Sequence, residues 1–269
     1  MFRPFADLIR YHELIGVLAW KSIAMRYKQA YLGIAWAVLK PVMLMMILTL
    51  IRSFIGINSG GIPYPVLTFA ALMPWTLFQE SVSDGVNSVV VNAHLIRKIY
   101  FPREIFPVTA VITKTVEFLI NAFILALLMA WYGISPNWQI LWVPLLLLYV
   151  LLASLTIAFV GAAMNVYFRD VAAALPLLLS VLMYLSPVIY PIRLVQEKLL
   201  NHGGEGSILY TLYLMNPLAG IIDAFQRVIL RGLPPDATTL LPGLIFVILL
   251  LPLSYLTFKR AEVYFADVI

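Results

Sequence analysis

LIRKIYFPREIFPV, residues 95–108, interrupts a long apolar run with Arg97, Lys98, Arg103, Glu104 and two prolines. Its reading decides the fold. A helix cannot run unbroken through Pro102 and Pro107, because proline removes an amide donor and clashes with the preceding turn. The oily segments on either side are therefore two separate helices, and the basic break lies at a membrane face.

Outward from that break the chain stays greasy. Of its 269 residues, 62% are hydrophobic and only 12% charged, against about half and a quarter in soluble domains. The mean hydropathy is +0.95. One core could not hide this much apolar surface from water, so the solvent is lipid. A bilayer core about 30 Å thick takes roughly 20 apolar helical residues. Six segments qualify, near 34–56, 66–91, 106–131, 140–164, 172–191 and 239–258. The fold class is an all-α polytopic membrane protein, read as a single domain over 1–269.

An even number of spans puts both termini on one side, and Lys/Arg bias selects it. Residues 1–33, the 92–105 linker, Arg169 and the tail carry eleven Lys and Arg, against five on the other side. Both termini and the opening motif are predicted to be cytoplasmic. The net charge of +5 is spread between apolar segments and forms no nucleic-acid patch. There is no cysteine, which removes disulfides and thiolate metal sites.

Two regions are not predicted to span. Within 1–31, Phe5, Leu8, Ile9, Ile15, Leu18 and Ile23 fall near one helical face, the pattern of a helix lying in the headgroup plane. Within 193–238, ILYTLYLM (208–215) stops at Asn216-Pro217 and LAGIIDAFQRVIL (218–230) follows. Two half-length helices joined at a break suggest a re-entrant hairpin between the fifth and sixth spans. Such backbone is tolerated against protein or a water-filled cavity. A small interfacial cap is the alternative.

Catalytic chemistry is not visible. His12-Glu13 begins an HExxH, but Gly16 occupies the position of the second ligand. There is no GxxxxGK[ST] phosphate loop and no GxSxG elbow. Intramembrane charge is more informative, because it is costly. Counting from the linker levels Asp84 on the second span with Lys114 on the third. A structural ion pair is preferred to a proton relay, since no ladder of acids crosses the bilayer. Most aromatics fall at span ends, as an interfacial belt does. Trp75, Phe78 and Tyr184 lie inside spans and are candidates for an aromatic wall on which sugars would stack.

Four stretches together, RYKQAYLGIAWAVLKPVMLM (26–45), LIRKIYFPREIFP (95–107), NVYFRD (165–170) and YLSPVIYPI (184–192), resemble the membrane subunits of bacterial ABC exporters of polysaccharide. The resemblance is to the O-antigen and teichoic-acid exporters more than to the capsule branch. It implies a homodimer forming the channel, two copies of a separate cytoplasmic P-loop ATPase that binds ATP and Mg, and residence in the cytoplasmic (inner) membrane. The implied substrate is a glycan on undecaprenyl pyrophosphate. The chain itself would carry no cofactor and no catalytic residue.

On that reading the 92–107 region is a coupling helix. Ile96, Tyr100 and Phe101 would anchor in a groove of the ATPase, with Arg97, Lys98, Arg103 and Glu104 as its ionic contacts. A topology anchor with no partner is the alternative. Arg26 and Lys28, with Lys40 behind them, are candidates for meeting the lipid pyrophosphate, although anionic headgroups would attract the same residues. Export of a small hydrophobic substrate, ion-driven transport and a membrane-embedded lipid-carrier transferase are the rival functions.

Overall fold

The computed structural model describes residues 11–28, 35–56, 61–96, 101–200 and 204–265. These form eleven α-helices: α1 His12–Lys28, α2 Ala35–Ile55, α3 Tyr64–Val91, α4 Ala93–Ile96, α5 Ile105–Trp131, α6 Val143–Tyr167, α7 Asp170–Tyr184, α8 Ile192–Leu200, α9 Gly204–Leu214, α10 Pro217–Leu230 and α11 Ala237–Ala261. Short 3₁₀ turns precede α6 (Trp138–Trp142) and follow α11 (Glu262–Tyr264).

Among the described residues, four stretches are long and apolar enough to cross a bilayer, Ala35–Phe54, Ile105–Trp131, Trp138–Tyr167 and Ala237–Tyr264, and the bent α9–α10 pair makes a fifth if it counts as one span. The sequence suggested six, and the two others differ for separate reasons. Helix α3 has 28 residues, about 42 Å of rise, but it mixes Gln79, Glu80, Ser81, Ser83, Asp84, Asn87 and Ser88 into its second half. It can do so because α2, α5, α6 and α10 pack around it, so little of its surface needs to suit lipid. Helix α7 has only 15 residues, about 22 Å. It ends at Tyr184, and Pro187 and Pro191 prevent the expected continuation to 191.

The central crossing is α3 against α6, made close by small residues. A Cβ at Gly85 would stand 2.6 Å from the Ala158 Cβ, and one at Gly161 would stand 2.5 Å from Val86 Cγ2. Asn165 Nδ2 adds a hydrogen bond to the Val86 carbonyl at 3.2 Å. Small contacts of this kind replace the hydrophobic drive that lipid does not supply.

Helices α9 and α10 meet at Met215-Asn216 with a bend of 78° between Gly206–Leu214 and Pro217–Leu230. The break is built, not accidental. Asn216 caps α10 by accepting from the Leu218 amide at 3.1 Å, Pro217 takes the first helical position, and Asn216 Nδ2 donates to Ser186 Oγ at 2.9 Å. Helix α10 is then buried, with Gln226 Nε2 donating to the Leu67 carbonyl at 3.1 Å. Gly220 allows the close approach of α11, since a Cβ there would meet the Thr239 carbonyl at 2.4 Å. The amphipathic α8, unexpected from the sequence, precedes this pair.

Helix α1 docks Ile15 and Leu18 on a cluster that includes Val89, Phe106 and Phe258. Val17, Trp20 and Met25 remain exposed. Its partner is chiefly α5. The expected residues Phe5, Leu8 and Ile9 lie outside the described residues.

Candidate functional site

A cavity of about 690 Å³ opens between α2, α3, α5 and α7. Helix α2 brings Trp36, Lys40, Pro41 and Leu44 to it; α3 brings Gln79, Glu80 and Asp84; α5 brings Lys114, Glu117 and Asn121. The polar residues of α3 recur at helical spacing on the side turned to this space, which is why the helix carries them.

The charges on this wall form a closed network. Lys114 is buried, and its Nζ lies 2.5 Å from Glu80 Oε2, 3.1 Å from Asp84 Oδ2 and 3.2 Å from Glu117 Oε1. Arg26 of α1 reaches in to pair with Asp84 at 2.5 Å and with Glu117. Burial opposes the Arg26 charge, but the carboxylates of Asp84 and Glu117 outweigh it and raise the guanidinium pKa above its ordinary value. Lys40 adds a further attraction on Glu80. Three cations and three carboxyl groups thus line the wall in formal balance, all but Lys40 in direct ion pairs. Paired and hydrogen-bonded, these ions avoid most of the desolvation cost of isolated ones.

The Arg26–Asp84 pair also borders a second cavity of about 250 Å³, lined toward the linker by Asn87, Asn92, Phe106 and Thr109. Both spaces thus share these two side chains on their walls.

Several sequence expectations meet different surroundings. Trp75 and Phe78 are 0% exposed. Both are packed in the core around α3, with their ring centroids 6.1 Å apart, so neither forms part of an aromatic wall. Tyr184 is 61% exposed. The aromatic rings on the cavity are Trp36, which the sequence reading places in the interfacial belt, and the buried Phe118. Arg26, expected to meet lipid pyrophosphate, is engaged by Asp84 and Glu117. Lys40 lines the cavity, and the Lys28 side chain lies outside the described residues. Glu80 takes its cation, Lys114, from α5, whereas Glu117 is held both by Lys114 three residues before it on the same helix and by Arg26 of α1.

The linker is tied down at its root. Glu104 is fully buried and accepts from Lys259 Nζ at 2.7 Å and from the Tyr255 hydroxyl at 3.2 Å. Lys259 also contacts Glu262 at 2.8 Å, and Arg103 donates to the Glu262 carbonyl. Phe101 stands edge-on to Phe106 with centroids 5.3 Å apart, and Ile96 is buried. Four of the residues expected to face a partner, Ile96, Phe101, Arg103 and Glu104, thus have contacts within the chain. Arg97, Lys98 and Tyr100 lie outside the described residues.

With this geometry in view, comparison with known proteins is informative. A family model described as "ABC-2 type transporter" matches residues 13–230. The chain is 27% identical over 264 residues to the O-antigen export system permease protein RfbA of Myxococcus xanthus, covering 97% of this chain and 98% of that protein. A Klebsiella pneumoniae protein of the same name is 27% identical over 222 residues, covering 82% and 81%. The polysialic acid transport protein KpsM of Escherichia coli is 23% identical over 235 residues, covering 84% of each.

Proposed function

The chain belongs to the ABC-2 type transporter family, and we propose that it is the membrane subunit of an ATP-driven exporter of polysaccharide, of the O-antigen kind. The observation that carries this reading is the similarity to an O-antigen export permease along nearly the whole of both chains. The neutral, polar cavity within an otherwise apolar bundle is in keeping with a hydroxyl-rich cargo. In this reading two copies form the channel in the bacterial inner membrane, and both termini are cytoplasmic. Helix α3, enclosed by its neighbours, and the short α7 complete six spans. The α9–α10 bend shapes the outer exit as a re-entrant hairpin, and the cargo is a glycan on undecaprenyl pyrophosphate.

ATP and Mg belong to a separate P-loop ATPase, two copies per channel. Helix closure in that partner can act on the channel only through an element that both share. Residues 97–100 supply the contact, while residues 101–104 fix it to the bundle. The same architecture serves teichoic acid or capsule export, and the 23% identity to a polysialic acid transport protein keeps capsule as the second reading.

The test is gentle extraction of the tagged chain from its native membrane. An ATPase recovered in equal amount, and lost on Tyr100→Ala or Lys98→Glu with insertion intact, is the expected result. Recovery of the folded chain alone, with no nucleotide dependence, would overturn the proposal in favour of a transferase or ion-driven carrier.

A further inference from the structure

We propose that Arg193 and Arg231, with Arg227 beside them, form a binding site for the phosphodiester headgroup of an anionic phospholipid at the end of the bundle opposite the linker. The site is separate from the cavity between α2, α3, α5 and α7. It does not depend on what the chain exports.

The fold gathers these arginines from two helices. On α10, Asp223 and Arg227 stand one turn apart, and Arg231 caps the helix, its amide bonded to the Arg227 carbonyl at 3.2 Å. Helix α8 comes alongside because Ile192 packs with Leu214 and Ala219, and Ala219 lies about one turn before Asp223. Arg193 follows Ile192 directly, so its charge reaches both Asp223 and Arg231. Gln226 of α10 is bonded to Leu67 near the start of α3, whereas the linker follows the other end of α3 at Val91.

The charges gathered there do not cancel. Arg227 is engaged, with Nη1 3.2 Å from Asp236 Oδ2 and Nε donating to the Pro234 carbonyl at 3.3 Å. Among the described residues, neither Arg193 nor Arg231 has an ion pair or a side-chain hydrogen bond. Asp223 is their common counter-charge, but its Oδ2 is buried and takes no hydrogen bond, so it clasps neither guanidinium. Three arginines thus meet two carboxylates, and Glu197 and Lys198 farther along α8 balance each other formally. Burial and the neighbouring Arg193 pull the guanidinium pKa of Arg231 below its ordinary value. Cations are favoured at the C-terminal end of a helix and disfavoured at the N-terminal end. That accounts for Arg227 and Arg231 on α10, but Arg193 stands in the first turn of α8. An anion between Arg193 and Arg231 removes their repulsion, and a guanidinium fork matches phosphate oxygens two at a time.

The height of the site in the bilayer names the anion. Asn137 lies over Gly232, where a Cβ would stand 2.4 Å from Asn137 Nδ2. Trp138 follows Asn137 and is 77% exposed, and Trp131 at the end of α5 is 85% exposed. Exposed tryptophans of a membrane protein sit at headgroup level, so Arg231, next to Gly232, lies level with the lipid phosphates. Leu194 and Leu233 are exposed beside the arginines and offer apolar surface to acyl chains. A phospholipid satisfies the cations and this surface together, whereas a dissolved anion satisfies only the cations.

Because the chain has no cysteine, a bimane label on Leu233→Cys reports from beside the site in phosphatidylcholine nanodiscs. Brominated phosphatidylglycerol is expected to quench the label at a mole fraction about fivefold lower than brominated phosphatidylcholine does, equivalent to about 1 kcal/mol. In Arg193→Gln with Arg231→Gln the two lipids are expected to quench alike. A label on Val17→Cys of α1 is expected to keep its own lipid response in that variant, which makes the loss local. Arg193 is exposed, so Arg193→Gln alone, expected to lower the preference, keeps the test if the double variant folds poorly.

Equal quenching by the two lipids in the wild-type chain, or a preference that survives both substitutions, would overturn the site. Undecaprenyl pyrophosphate that restores the fluorescence at a lower mole fraction than unbrominated phosphatidylglycerol would overturn it as well, and would assign the arginines to a diphosphate instead.

Discussion

Arg52 illustrates what a single buried cation does in this chain. From sequence it counts as one of five basic residues on the less basic side, near the outer end of the first span. In the structure it is buried, and its Nε and Nη2 each donate at 2.6 Å, to the Ile189 and Val188 carbonyls. Those carbonyls belong to the stretch that Pro187 and Pro191 keep from being helical, and backbone groups away from water must find partners inside the protein. Arg52→Leu is expected to lower stability by about 3 kcal/mol, the upper range for hydrogen bonds to a charged group, read as a shifted melt in detergent. Arg52→Lys is expected to fall between, because an ammonium lacks the fork that reaches both carbonyls. Lys114→Met is expected to cost about 2–3 kcal/mol, less than stranding a fully buried charge, since the three carboxylates it leaves behind are only partly buried. A second change, Glu80→Gln, is expected to restore part of that loss in the same melt. Depth counting from the linker levels Asp84 with Lys114, whose charged atoms lie 3.1 Å apart. It could not reveal Arg26, which enters from a helix outside the spans.

The next scale is the element, where packing decides. The α3–α6 crossing depends on the absence of side chains at Gly85 and Gly161, so Gly85→Leu is expected to push the helices apart and prevent accumulation of folded protein in the membrane, checked by detergent-extracted yield. Gly16, with nothing near its missing Cβ, serves as the control, and Gly16→Ala is expected to leave yield unchanged. At the start of α11, Asp236 caps the helix through the Thr238 amide at 3.0 Å and hydroxyl at 2.7 Å. The Thr238 side-chain hydrogen bond, against a smaller burial penalty, holds the carboxyl pKa below its usual value. A depressed carboxylate stabilises the folded form above its unfolded pKa of about 3.9 and loses that contribution as pH falls through the lower folded value. Protection of the amides at 237–240, measured against their intrinsic exchange rates, is therefore expected to fall below about pH 4, and Asp236→Asn to flatten that response.

At the scale of the whole molecule, the sequence made the all-helical class legible because apolar length is a strong signal. It obscured α3 and α7 for opposite reasons. Helix α3 is polar because its neighbours enclose it, and α7 is short because two prolines follow it. Neither enclosure nor the partner of Arg52 can be read from local composition. The site was less legible still: Trp75 and Phe78 carry the right chemistry at the wrong angle, and only the packing around α3 tells them from Trp36. Since the chain has no cysteine, single cysteines can map its topology directly. Labels at Asn92, Arg169 and Arg260 are expected to react from the cytoplasm, and labels at Ser135 and Pro235 from the opposite side. Reaction of the first three from different sides would remove the six-span arrangement.

The clasp at the linker root has a mechanical consequence. Glu104 is bolted to Lys259, and Arg103 to the backbone of Glu262, so the linker and the end of the last helix form a single rivet rather than two loose ends. In the proposed exporter, a push delivered to the linker would be divided between α5, which begins at Ile105, and α11, which ends at Ala261, so that helices distant in the chain would turn as one lever. A bulky fusion added behind Phe265 would hang from the same rivet and load it, so under the proposed coupling a reporter at that end would brake the stroke that it reads.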